Sequence, residues 1–183
     1  MSKSALEELH TERLRLRRYR KDDFESAFRL TNDPRVMRYY PAPFDRDRVT
    51  RMLENVLRSY DERGYSVLVV ERATDGAYLG QIGLLHWDDV DGREDVEVAY
   101  MLVPEAWGAG YATEAARACR DWAFEQLGAD RVVSFISVEN EPSMRVAERN
   151  GMTRLKRLNE NRLGIPIYVY AIARDDWEST RTT

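Results

Sequence analysis

The spacing of apolar residues predicts the elements in the first third of the chain. From Arg13 to Tyr19, Leu14 and Leu16 alternate with arginines, which is the period of a strand with one wet face. We therefore expect a charged edge strand that resists aggregation. Apolar residues at three-and-four spacing then predict a helix with Asp22 as its N-cap and a second helix that ends at Gly64.

The middle of the chain has the pattern of a hairpin. "YSVLVVE" and "LGQIGLLHW" flank Asp75-Gly76, a pair that favours a tight reversal, and so predict two antiparallel strands. "VEVAYMLV" predicts the next strand, and a helix is expected from Thr113 to Leu127. Beyond it we expect the strand "RVVSFISV", a helix from Glu141 to Asn150, and the strands "MTRLKRL" and "IPIYVYAIA".

This order of elements predicts an α/β fold. Strands are followed by helices only in parts of the chain and form hairpins elsewhere, which favours a mixed, largely antiparallel sheet covered by helices. We expect about seven strands and about four helices. A chain of 183 residues fits a single domain of this kind.

Composition excludes several classes of protein. Lys plus Arg number 28 against 32 for Asp plus Glu, so the net charge of -4 does not indicate a nucleic-acid binder. The single cysteine, Cys119, permits no intrachain disulfide, and with two histidines there is no zinc site to build. No apolar stretch approaches membrane-spanning length. We expect a cytoplasmic protein without a metal, and docking of the basic first strand to RNA is a minor alternative.

The glycine turn, which we define as "WGAGYAT" (residues 107–113), predicts a cradle for an anion. Gly108 and Gly110 can adopt positive φ, and the first turn of the following helix offers unpaired N–H groups and the positive end of its dipole. A diphosphate fits such a place. A P-loop is excluded because no Gly-Lys-Ser/Thr follows, and a dinucleotide fingerprint lacks its third glycine. A tight turn without a ligand is the alternative.

A second motif favours the anion cradle over a tight turn without a ligand. "SVENEPSMRVAERNGM" places Asn140-x-x-Ser143 before a short helix that ends in Asn150-Gly151-Met152. Together with Trp107 to Ala112, it resembles the GNAT superfamily of acyl-CoA-dependent N-acetyltransferases, in particular the branch that acetylates the N-termini of ribosomal proteins. Trp stands first in the Gln/Arg-x-x-Gly-x-Gly/Ala signature, and Met replaces Phe in the second. The order of elements is similar across nearly the whole chain.

The resemblance implies a sheet splayed at its centre, where the pantetheine arm of acetyl-CoA inserts like a strand. The backbone of Met101, Leu102 and Val103 matches the strand that it pairs with, and Asn140 matches a residue that hydrogen-bonds pantetheine, although helix capping explains it nearly as well. The domain is expected over residues 11–178, after a short extension at 1–10. Amides that match the pyrophosphate cradle are those of Gly108, Ala109, Gly110, Tyr111, Ala112 and Thr113.

Acetyl transfer to an amine needs a base, a donor for the thioester oxygen and a proton for the departing thiolate. Glu97 is the predicted base because it shares a strand face with Ala99 and Met101, away from any obviously wet surface, where burial raises the pKa of a carboxyl group. An ion pair between Glu97 and an arginine is the alternative. Asp95 and His86 are weaker candidates.

The other two roles follow from the resemblance. A backbone N–H near Leu102 is the implied donor to the oxyanion. Many family members have a tyrosine as the acid where this chain has Ala147, and the resemblance implies Ser143 in its place. Capping of the next helix is the alternative role for that serine.

The acceptor is expected to be a primary amine, on a protein N-terminus or a small molecule. It would enter past two walls, "NDPRVMRYYPAPFD" with Tyr39, Tyr40 and Phe44, and "LNENRLG". A loop with Asp88, Asp89 and Asp91 offers negative charge to attract it. The family also implies a homodimer. A non-catalytic acyl-CoA-binding or regulatory module is the alternative function.

Overall fold

The computed structural model describes residues 5–89, 92–160 and 163–181. Within these ranges eight strands form one sheet in the order β1-β2-β3-β4-β5-β6-β8-β7. All neighbours are antiparallel except β5 and β6, which are parallel. The strands are β1 (Glu8–His10), β2 (Leu14–Arg18), β3 (Val67–Arg72), β4 (Tyr78–Trp87), β5 (Asp95–Leu102), β6 (Arg131–Ser137), β7 (Thr153–Leu158) and β8 (Ile167–Ala173).

Five α-helices accompany the sheet in the described ranges. They are α1 (Phe24–Asn32), α2 (Arg46–Arg63), α3 (Tyr111–Trp122), α4 (Glu141–Arg149) and α5 (Arg174–Arg181). The α/β class and the largely antiparallel sheet are confirmed, with one strand and one helix more than expected. None of the helices in the described residues is both long and apolar enough to cross a membrane.

Two local predictions hold and one is wrong. Gly64 ends α2 with φ of 82° and donates its N–H to the Tyr60 carbonyl, and α3 continues to Leu127 through a π-helical turn. The N-cap of α1, however, is Asp23 and not Asp22. Lys21–Asp23 forms a 3-10 turn that leads directly into α1. The Asp23 carboxylate accepts hydrogen bonds from the Arg20 N–H and from Nη1 and Nη2 of Arg17, and it makes no capping bond to α1.

The expectation of a charged edge strand is also wrong. β2 lies between β1 and β3, and β1 forms the edge of the sheet. Arg17 of β2 pairs with Glu71 of β3 and with Asp23. Arg15 pairs with Glu8 of β1 and with Glu71. The alternating arginines therefore join neighbouring strands through ion pairs.

The sheet opens at its centre, between β5 and β6. These strands are paired at only two positions, Val96 with Val132 and Glu97 with Val133. β5 stays paired with β4 as far as Leu102, and β6 stays paired with β8 as far as Ser137. We call the space between residues 98–102 and 134–137 the central gap. It confirms the predicted splay.

The register of β3 against β4 predicts a matched pair of glycine variants. A Cβ on Gly83 would lie 2.4 Å from the Val67 Cα and 2.5 Å from the Ser66 carbonyl oxygen. We expect Gly83→Ala to lower the free energy of unfolding by about 3 kcal/mol, because the β3 backbone must shift. Gly76→Ala is the control: φ there is +71° with no atom within 4 Å, so backbone strain alone costs about 1 kcal/mol. Equal losses in urea denaturation would contradict this register.

Candidate active site

The backbone of β5 presents hydrogen-bonding groups to the central gap. The Val103 N–H donates to the Leu79 carbonyl at 2.9 Å, so odd-numbered residues of β5 bond toward β4. Because such groups alternate along an antiparallel strand, the amides of Tyr100 and Leu102 point the other way, into the gap. Of the three residues predicted to pair with pantetheine, Leu102 therefore has its amide at the gap. Both backbone groups of Val103 are already bonded, its carbonyl by the Ala106 N–H.

A cleft of about 1060 Å³ contains the central gap. It brings together Glu97, Asn140 and Ser143, three residues that the sequence predicted for one site. The glycine turn and residues 101–103 do not line this cleft. Its walls also include the aromatic and aliphatic side chains of Tyr39, Tyr40, Leu85, Trp87, Tyr100, Phe135, Ile136, Leu158, Leu163, Ile165 and Ile167.

Glu97 lies in this cleft at the point where β5 and β6 part. It is only 7% exposed. The Trp87 indole N–H donates to its Oε2 at 2.7 Å, and the Phe135 N–H donates to its Oε1 at 3.4 Å. Burial raises the pKa of the Glu97 carboxyl to about 7, although both hydrogen bonds act to lower it. Sequence reasoning did not find Trp87, whose approach depends on the β4–β5 register.

The alternative of an ion pair at Glu97 finds no support in the described part of the chain. The arginine pair belongs instead to Asp95, which binds Arg131 through both carboxylate oxygens. His86 contacts the Tyr65 hydroxyl at 3.3 Å. Asp95 and His86 both line a separate cavity of about 580 Å³, so the two weaker candidates lie away from Glu97.

Ser143 and Asn140 lie at the start of α4, on the other side of the cleft. The Asn140 Oδ1 accepts the Ser143 N–H at 3.2 Å, so Asn140 does cap the helix. The cap uses the side-chain oxygen and leaves the amide nitrogen available to pantetheine, which makes the two roles compatible. The Tyr100 hydroxyl donates to the Ser143 carbonyl at 2.7 Å and holds this turn against β5. Ala147 is buried in the core.

The glycine turn has the expected backbone conformation. Gly108 and Gly110 have φ of 75° and 82°. Among the described residues, no carbonyl accepts a backbone hydrogen bond from the amides of residues 108–110. α3 begins at Tyr111, so the amides of its first turn add to the same set. The Trp107 indole N–H donates to the Leu102 carbonyl at 2.9 Å and joins the turn to the end of β5.

The predicted acceptor walls only partly match the cleft. Tyr39 and Tyr40 line it, whereas Phe44 packs edge-on against Tyr40 with ring centroids 6.4 Å apart. Asp89 and Glu160 add carboxylates to the lining. Asp88 bonds His86 at the separate cavity, and Asp91, Asn161 and Arg162 lie outside the described residues.

Cys119 is buried in the core. Burial raises the pKa of its thiol to about 12, which leaves almost no thiolate at neutral pH. A covalent acetyl-cysteine intermediate on this residue is therefore disfavoured. Within the described residues, no group of three or more His, Cys, Asp or Glu side chains is placed to hold a metal ion.

The environment of Glu97 makes stability depend on pH. Its carboxyl pKa rises from an ordinary 4.5 to about 7 on folding, so its contribution to stability is complete below pH 4.5 and is lost as pH rises through 7. Glu97→Gln lacks this dependence. The free energy of unfolding of the variant relative to wild type should rise by about 3 kcal/mol between pH 4.5 and about pH 8. Urea denaturation across this range measures it, and parallel pH profiles would contradict it.

Comparison with known proteins places this geometry in a family. The sequence matches the family model of the Acetyltransferase (GNAT) domain over residues 13–153. YkkB, an uncharacterized protein of Bacillus subtilis (strain 168), is 36% identical over 168 residues, which cover 90% of this chain and 96% of YkkB.

Solved structures of acetyltransferases have the same fold as this chain. An acetyltransferase from Agrobacterium tumefaciens str. C58 superposes with a TM-score of 0.78 and 32% identity, over 91% of this chain and 94% of that one. The spermidine N-acetyltransferase from Vibrio cholerae, solved in complex with CoA and spermine, superposes with a TM-score of 0.74 and 20% identity, over 92% and 99%. The resemblance that the two motifs carry is confirmed: the chain belongs to the GNAT family and is an acetyltransferase.

Proposed function

We propose that the protein transfers an acetyl group from acetyl-CoA to a primary amine by direct attack within a ternary complex. The observation that carries this proposal is the cleft that holds Glu97 and Ser143 on the two sides of the central gap. A buried, hydrogen-bonded carboxylate and a hydroxyl face the place where a strand-like substrate would lie. The buried state of Cys119 favours direct transfer over a covalent intermediate.

Each step has a residue suited to it. Glu97 accepts a proton from the ammonium, and the neutral nitrogen attacks the thioester carbonyl. The Leu102 N–H donates to the carbonyl oxygen as it becomes negative. The C–S bond then breaks, the nitrogen loses its second proton, and that proton passes to the departing thiolate, which the Ser143 hydroxyl stabilises by a hydrogen bond. The products are an amide and the free thiol of coenzyme A.

Two regions of the chain suit the coenzyme. The central gap offers the amides of Tyr100 and Leu102 to the pantetheine arm, and Asn140 lies beside it with a free side-chain amide. The amides of residues 108–113 suit the pyrophosphate because they combine unbonded N–H groups with the N-terminus of α3. The Vibrio cholerae enzyme of the same fold was solved with CoA, which supports coenzyme A as the ligand of this fold.

The lining of the cleft favours a cationic acceptor. Glu97, Asp89 and Glu160 supply carboxylates, and Tyr39 and Tyr40 present aromatic rings that attract an ammonium group. A peptide N-terminus and a small amine both carry this charge. The related Vibrio cholerae enzyme has spermine bound. The catalytic domain over residues 11–178, the homodimer and the cytoplasmic location stay predictions.

The assigned roles predict specific losses of rate. With acetyl-CoA and a panel of peptides and small amines, wild-type protein should release thiol, and kcat/KM should rise with pH through about 7 as Glu97 deprotonates. Glu97→Gln should lower kcat/KM by about 10² to 10⁴-fold and remove that rise. Ser143→Ala should lower it by a similar factor, and mainly in kcat.

A thiol-release assay with Glu62→Gln as control tests this prediction. Glu62 is exposed on α2, away from the cleft, so its variant should retain the wild-type rate. Unchanged turnover in Glu97→Gln and Ser143→Ala would overturn the assigned roles. A wild type that binds CoA but releases no thiol with any amine would favour a binding or regulatory module.

The cradle is tested by a second matched pair of glycines. Gly108 and Gly128 have φ of +75° and +68°, and a Cβ would meet no atom within 4 Å at either. Alanine therefore imposes similar backbone strain at both sites. We expect Gly108→Ala to weaken CoA binding about ten-fold or more in calorimetry, and Gly128→Ala to leave it unchanged. Equal affinities of the two variants would place the pyrophosphate elsewhere.

A further inference from the structure

Arg13 contacts the glycine turn although it lies a hundred residues earlier in the sequence. Its Nη1 donates to the Ala109 carbonyl at 2.9 Å. Its guanidinium lies 4.7 Å from the centroid of the Tyr111 ring. A Cβ on Gly110 would meet its Nη2 at 3.4 Å. One side chain thus reaches three consecutive residues of the predicted pyrophosphate cradle.

The same arginine also binds Glu114, in the first turn of α3. The Arg13 Nε donates to the Glu114 Oε2 at 2.7 Å, and the Arg13 backbone N–H donates to Oε1 at 2.9 Å. The Thr11 hydroxyl donates to the same Oε1 at 2.6 Å. A carboxylate at this end of a helix occupies the positive potential that a phosphate would use. Arg13 neutralises that charge.

The bond to Ala109 fixes the direction of the next amide. The Ala109–Gly110 peptide is trans, so its N–H points away from its carbonyl. Because Arg13 holds the carbonyl on the β2 side, the Gly110 N–H is directed to the opposite side. The Tyr111 ring lies against the Arg13 guanidinium. Arg13, just before β2, therefore holds the start of α3 through its contacts with Ala109, Tyr111 and Glu114.

We propose that Arg13 is a positioning residue for the coenzyme: it orients the Ala109–Gly110 peptide and cancels the Glu114 charge, so that the glycine turn is ready for the pyrophosphate. This inference rests on the proposed function. Arg13 acts through the turn and through Glu114, so it alters coenzyme affinity and not the chemistry at Glu97.

Calorimetry with CoA and the full chain tests the proposal. Arg13→Gln should weaken CoA binding by about ten-fold or more, since a charge-assisted hydrogen bond and a neutralising charge are lost together. KM for acetyl-CoA should rise while kcat at saturation stays near wild type. Arg13→Lys keeps the positive charge but loses the planar guanidinium that bonds Ala109 and Glu114 together, and should give an intermediate affinity. The double variant Arg13→Gln/Glu114→Gln should recover part of the loss because no carboxylate is left to repel the phosphate.

Arg15→Gln is the matched control. Arg15 lies two residues later, in β2, and pairs with Glu8 and Glu71, so its removal should not change CoA affinity. A second comparison uses S-acetylpantetheine, an acetyl donor without pyrophosphate, with which Arg13→Gln should turn over as wild type does.

Three results would overturn the proposal. Unchanged CoA affinity in both Arg13 variants would show that the turn is set without this side chain. An equal loss with acetyl-CoA and S-acetylpantetheine, without recovery in the double variant, would show a role in folding only. A wild type that binds no CoA would overturn the proposed function and this inference with it, whereas the first two results leave the proposed function standing.

Discussion

The parting of β5 from β6 leaves each of these two central strands without a neighbouring strand along one edge, and the site depends on this opening. An unpaired backbone group buried from water costs about as much free energy as a lost hydrogen bond. The chain satisfies part of the edge itself: the Ser134 hydroxyl bonds the Val98 carbonyl, and the Trp107 indole bonds the Leu102 carbonyl. The amides of Tyr100 and Leu102 still face the gap. An extended chain with amide groups can bind there without deforming the sheet.

The position of Glu97 follows from the same opening. It is the last residue of β5 that pairs with β6, and its two donors come from different strands, Trp87 on β4 and Phe135 on β6. Their rings pack edge-on with centroids 5.0 Å apart, so the donors hold each other in place. In the part of the chain that the structure describes, hydrogen bonds without an opposing cation orient the Glu97 carboxylate, and they offset the effect of burial on its pKa only in part. The carboxyl pKa of about 7 expresses that balance.

Local sequence patterns predicted the strands and helices. The features that they did not predict depend on contacts between distant parts of the chain. Period, turn residues and the Asp75-Gly76 pair were sufficient for the β3–β4 hairpin, and positive φ at Gly108 follows from the conformational freedom of glycine. A 3-10 turn over Lys21–Asp23 precedes α1, and Asp23 pairs with Arg17 of β2, a contact that no local pattern contains. The pairing of β2 with the three-residue strand β1 likewise depends on register. So does the approach of Trp87 to Glu97. The Asn140-x-x-Ser143 motif and Glu97 marked the cleft, and Tyr39 and Tyr40 were predicted for its wall. The rest of its lining emerged only from the fold.

In the proposed mechanism, burial shifts the pKa values of the two partners in the first proton transfer in opposite directions. In water an alkylammonium with a pKa near 10 would give its proton to an ordinary carboxylate only at a cost of about 8 kcal/mol. The cleft raises the pKa of Glu97 to about 7, and its aliphatic lining removes water from the ammonium, which lowers the pKa of the amine. Both changes favour the neutral pair over the ion pair. In the proposed mechanism, the rings of Tyr39 and Tyr40 first attract the ammonium, and aliphatic side chains such as Leu85, Ile136 and Ile165 supply the desolvation that makes the amine a nucleophile.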